Sequence, residues 1–165
     1  MIDNKWFCEP DELRESWCFL ILHQKDQKDD FVISGWEIEY GNSSRIIRKI
    51  YNSKNNEEGI INELLEEIHY CRKKRITIIT FGFDVIPAIR TRISILDLKE
   101  VSLRGIRNIA LEKLISENFL FFNSNKSPSI EMIAKKMNIE SDCFSNVELL
   151  RNIFLRIGPL LQEVI

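Results

Sequence analysis

The chain reads as an α/β domain built on a mixed five-stranded sheet, an antiparallel meander followed by parallel strands, with helices on its flanks. Three observations carry this reading. Three apolar segments separated by short polar turns open the body of the chain, at Trp17–Leu22, Phe31–Tyr40 and Arg45–Tyr51. The hydrophobic period then changes to helical over Asn56–Lys73, where Ile60, Ile61, Leu64, Leu65 and Ile68 fall on one face. A second apolar strand follows that helix at once, and a strand after a helix after a meander demands a crossover into the sheet.

Taken in order, residues 1–16 form a polar N-terminal arm with Trp6 and Phe7, and residues 17–165 form one domain. WCFLIL (17–22) is a buried strand, and QKDQKDD (24–30) a solvated turn. FVISGWEIEY (31–40) alternates from Trp36 onward, which puts Glu37 and Glu39 on an exposed strand face. RIIRKIY (45–51) completes the meander. In the helix 56–73, Asn55 or Asn56 serves as N-cap, Glu57 and Glu58 suit the positive end, and Arg72, Lys73 and Lys74 suit the negative end. Arg75–Phe81 is the next strand. Residues 107–119 hold a strand or a helix start, then a helix. SIEMIAKKM (129–137) is a short amphipathic helix capped by Ser129. SNVELLRNIFLRI (145–157) is a longer one, which Gly158-Pro159 kinks or interrupts.

Composition excludes several classes. The net charge is −2, from 23 basic and 25 acidic residues, so any nucleic-acid contact must come from a local patch. Cys8, Cys18, Cys71 and Cys143 are dispersed and form no CxxC pair, which argues against zinc and redox motifs and suits a reducing cytoplasmic setting. The longest apolar run is too short to span a bilayer, and the first residues lack a signal-peptide pattern, so no membrane partner is expected. No glycine-rich loop would cradle a nucleotide, and no Ser or Cys has a His/Asp partner pattern.

The richest stretch is RITIITFGFDVIPAIRTRI (75–93). An apolar strand runs into Gly82, a single acid follows at Asp84, and a helix opened by Pro87 carries Arg90 and Arg92. Asp84 is read in two ways: as a cap for that helix, or as a metal ligand. Arg90 and Arg92 either contact a phosphate or pair with glutamates of neighbouring helices. Asp26, Asp29 and Asp30 read as a solvated turn, His23 as a strand-end residue and His69 as surface. Trp36, Tyr40 and Phe144 are either stacking surfaces or packing residues.

The element order, with GFDVIPAIRTR (82–92), PSIEMIAKKMNI (128–139) and CFSNVELLRNIF (143–154), resembles the RNase H-like DEDD-type 3′–5′ exonucleases, in particular their DNA-polymerase-B-like members. Those segments are similar to the family's GxxFDlPxLxxR, its sLxxvAkkLgi and its closing helix, and together they cover residues 17 to 160. The resemblance implies an RNase H-like fold and two divalent ions held by four carboxylates, one ion activating the attacking water and the other stabilising the leaving oxygen. The third of these acids matches Asp84. The first two, an Asp-x-Glu on the first strand, are missing: CFLILHQK (18–25) has no acid, and His23 and Lys25 stand near that place. The fourth matches Asn146, an amide, and a helper position falls near Asp142 or Cys143.

One clear carboxylate cannot hold two metals. The resemblance therefore implies a degenerate exonuclease-like domain with no cofactor, acting through a protein partner in a DNA replication or repair assembly. Trp6, Phe7 and FLFF (119–122) would offer contact surface. Two other readings stand beside it. One is an active exonuclease with a rearranged site, using magnesium or manganese, with Asp30, Glu37 or Glu39 in place of the missing pair. The other is a non-cleaving domain that binds single-stranded DNA or RNA.

Overall fold

A long hairpin organises the molecule. The computed structural model describes residues 17–28, 30–41, 56–82, 84–98, 102–119, 128–140 and 145–161, and residues 46–50 as backbone. β1 (Trp17–Gln27) and β2 (Asp30–Tyr40) pair antiparallel from Cys18↔Tyr40 to Gln27↔Asp30. β3 (Ile46–Ile50) pairs antiparallel with β2. β4 (Thr77–Thr80) lies parallel to β1, and β5 (Asn108–Ala110) parallel to β4. The order across the sheet is β3-β2-β1-β4-β5, so the sheet is mixed, antiparallel on one side of β1 and parallel on the other.

β1 is longer than its composition predicts. Residues 24–27 are not turn but strand, paired with Asp30–Ile33 of β2. Their side chains are exposed while their backbone is bonded. The polar run thus reports solvated side chains and says nothing of the backbone. A bulge between His23 and Gln24 accommodates the extension, and Lys28 turns the chain at φ 51°.

The helices cover both faces. α1 (Glu57–Lys74) and α2 (Val85–Ile95) lie on one face; α3 (Leu111–Asn118), α4 (Ile130–Lys136) and α5 (Asn146–Leu161) lie on the other. WCFLIL shows no alternation for this reason: Cys18 and Leu20 pack toward α1, while Trp17, Phe19 and Ile21 pack toward α5. Each such side chain contributes about 1.5–3 kcal/mol by leaving water. α1 starts as its sequence predicts, with the Asn56 side chain accepting from the Gly59 N–H at 2.9 Å. It ends at Arg75 in the left-handed region (φ 58°), whose N–H returns to the Arg72 and Cys71 carbonyls. Ser129 caps α4 through Met132 N–H at 3.2 Å.

α5 differs from expectation. It continues through Gly158-Pro159 to Leu161. Pro159 lies in the final turn, where it forfeits only the bond its N–H would have made to the Leu155 carbonyl. Phe119 packs partly buried against the α5-side core rather than standing free. Residues 1–16, 120–127 and 141–144 lie outside the described residues, and with them Trp6, Phe7, the rest of FLFF, Asp142, Cys143 and Phe144.

Candidate functional site

Asp84 follows the C-terminal end of β4, a parallel strand of the sheet. β4 leaves the sheet through Phe81 and Gly82, the latter at φ 113°. A Cβ there would meet Val85 Cγ2 at 3.4 Å, and the positive φ alone favours glycine. Asp84 follows at the N-cap position of α2. It is exposed and makes no side-chain capping bond; only its carbonyl accepts, from Ala88 N–H at 2.7 Å. The capping role is therefore not realised. Asn146 is the first residue of α5 and is half-buried.

On β1, the side chains turned toward α5 are Phe19, Ile21 and then His23. Directly across on β2 stand Glu39, opposite Phe19, and Glu37, opposite Ile21. These two glutamates are buried, at 1% and 6% exposure, which corrects the expectation of an exposed strand face. The reason is topological. β2 is an inner strand between β1 and β3, with helices over both faces, so from Gly35 to Tyr40 both of its faces are buried. Each acid has a cationic or titratable neighbour. Glu37 Oε2 lies 2.9 Å from His23 Nε2, and Glu39 Oε1 accepts from Arg151 Nη1 of α5. Phe154, one turn on, packs against Trp17 (5.3 Å between ring centres) and Phe19 (5.5 Å). These contacts fix α5 over β1.

One further acid joins this end of the sheet. Glu112, in the first turn of α3, is 6% exposed, and its Oε2 lies 3.9 Å from where a Gly82 Cβ would sit. Sequence reasoning passed over it. Its signal was position: it comes two residues after the short β5, as Asp84 comes shortly after β4. Among the described residues no group of three or more His, Cys, Asp or Glu side chains is placed to hold a metal ion.

The two candidate arginines separate. Arg90 is exposed on α2 beside Pro87, Thr91, Ser94 and Ile95, which form a shallow open concavity. Arg92 is 4% exposed and spent on protein contacts. Its guanidinium grips Glu57 through Nε (2.7 Å) and Nη2 (2.6 Å), donates to Asp30 Oδ2 at 2.8 Å, and sits 5.8 Å from the Phe31 ring centre. The bond to Glu57, more than that to Asp30, raises the arginine above its usual range. Asp30 is held below the usual carboxylate range, first by the Phe31 N–H and then by Arg92. Arg92 is therefore the glutamate partner that the second sequence reading describes, and a phosphate would have to displace two carboxylates to reach it. Asp30 stays solvent-exposed, but it begins β2 rather than sitting in a turn, and it joins this latch. Trp36 and Tyr40 are buried packing residues, the indole N–H donating to Ile60 O at 3.0 Å and the phenol to Glu67.

Compared with known proteins, the chain matches no family model, and no curated sequence is significantly similar to it.

Proposed function

We propose that this chain is a degenerate exonuclease-like domain of RNase H-like architecture, serving as an accessory or interaction module in a DNA replication or repair assembly rather than cleaving nucleic acid itself. The observation that carries the reading is the α5-facing side of the β1–β2 hairpin. Where two-metal chemistry needs hard anionic ligands, β1 offers Phe19, Ile21 and His23. The two acids on that face, Glu37 and Glu39, are drawn against His23 and Arg151. A guanidinium inside a metal site would repel the ions the reaction requires. Support for the architecture comes from the element order and from the passage from antiparallel to parallel pairing about β1.

A weakly active enzyme is the second reading. It is favoured by Asp84, exposed and without a capping bond, and by Glu112 beside Gly82. The two readings part on one assay: degradation of a 3′-labelled single strand with magnesium or manganese, Asp84→Ala in parallel. The degenerate reading predicts no cleavage beyond that of the variant. Manganese-dependent shortening lost in Asp84→Ala would establish the active one.

A further inference from the structure

At the opposite end of the parallel strands the fold assembles a cationic surface from two distant segments. The first is the C-terminus of α1, with Lys73, Lys74 and the αL residue Arg75, all exposed. The second is the loop before β5, with exposed Arg104 and Arg107. Arg72 fastens one to the other. Its Nη1 donates to the Ser102 carbonyl at 3.1 Å and the Arg104 carbonyl at 3.4 Å, while its Nη2 lies 2.9 Å from His69 Nδ1. The Arg107 carbonyl accepts from Ile78 N–H at 2.8 Å, three residues beyond Arg75. Both segments are thus pinned to the same edge, where β4 begins.

We propose that this surface binds the phosphate backbone of nucleic acid. Among the described residues, none of Lys73, Lys74, Arg75, Arg104 and Arg107 forms an ion pair. Complementing the end of α1 does not account for them, since that end carries only about half a negative charge against five cations. In a chain of net charge −2 such clustering leaves the remainder acidic, which orients a polyanion toward this edge. Three of the five are arginines, whose planar fork matches a phosphate bidentately. Tyr70, 43% exposed, stands one helical turn before Lys73 and Lys74 and offers a ring for base stacking. A lipid surface fits less well: the other exposed large apolar side chains, Ile95, Met132, Leu155 and Leu160, belong to other helices.

This inference deepens the accessory-module reading by giving it a nucleic-acid surface, but it uses no residue of the carboxylate end, so the two fail separately. The test is fluorescence anisotropy of a labelled single-stranded oligonucleotide, and of its duplex, titrated with the full chain over a range of salt. Saturable binding is expected at low salt, weakening steeply as salt rises. The variant Lys73→Ala/Lys74→Ala/Arg104→Ala/Arg107→Ala should bind at least about tenfold more weakly, and each single Arg104→Ala or Arg107→Ala should lower the salt slope by about 0.7 for a single strand. Arg90→Ala should bind as the natural chain does. The circular dichroism of each variant guards against unfolding, and the single loop variants keep the question open to refutation if the fourfold one does not fold. No binding at low salt would overturn the proposal. So would unchanged affinity in the variants, or binding only to phosphatidylserine vesicles or to an acidic peptide.

Discussion

Two charged clusters flank the β1–β2 hairpin on opposite faces, and they differ in what they bind together. On the α2 side, Arg92 closes a bidentate grip on Glu57, a bond to Asp30 and a contact with Phe31, while Glu57 also takes the Ile33 N–H at 2.7 Å beyond the end of β3. Donors and acceptors from three elements satisfy one another there, as a fastening requires. On the α5 side His23 meets Glu37, and Arg151 meets Glu39. That cluster lies on the face of β1 and β2 that α5 covers. The first cluster holds the hairpin tip to the body. The second holds two buried acids against a side chain of β1 and a side chain of α5.

The comparison breaks first at Arg92. Arg92→Ala strands Glu57, whose side chain is only 14% exposed, and should cost about 3 kcal/mol in urea unfolding. Arg90→Ala, two residues away and solvated, should stay within about 0.5 kcal/mol. Equal effects would mean that the latch carries no stability. The α5 side should be softer, because the Arg151 side chain is 32% exposed. Arg151→Met should cost about 2 kcal/mol by removing the guanidinium held against the buried Glu39, and Glu39→Gln added to it should recover part of that loss. A double variant as unstable as the sum of its parts would show that the two groups are uncoupled.

The smallest effect is the dependence on acid. Asp30 has a folded-state pKa below its ordinary value of 3.8, so its stabilising contribution is present above that value and disappears as pH falls through the lowered one. Stability curves of the natural chain and Asp30→Asn should converge as pH falls through the lowered pKa and separate above the ordinary value of 3.8, with the natural chain the more stable. Curves that stay parallel across that range would remove Asp30 from the latch.

Much of the scaffold was legible because local signals and tertiary context agree. The meander, the Asn56 cap, the α1 stripe and the Ser129 cap all follow from residue type and period. The site was harder to read. Glu37 and Glu39 alternate with Trp36 and Ile38, which in an edge strand means two faces of opposite character; in an inner strand roofed on both sides the same pattern buries everything. Nothing local marks Arg151 as the partner of Glu39, since that pairing spans 112 residues. The fate of Arg92 was likewise set by Glu57 and Asp30, both remote in sequence, whereas its neighbour Arg90 stayed in solvent. The cationic edge was visible in sequence only as the run 72–75; the loop carrying Arg104 and Arg107 joined it through backbone carbonyls that carry no sequence signature.

In the reading proposed above, the end of the sheet that carries Asp84 does no two-metal chemistry. The most direct test of that reading is the time course of a 3′-labelled single strand incubated with manganese and either the natural chain or Asp84→Ala. The two traces should coincide with each other and with buffer. Progressive 3′ shortening by the natural chain, abolished in Asp84→Ala, would contradict it and would place Asp84 at a working metal centre.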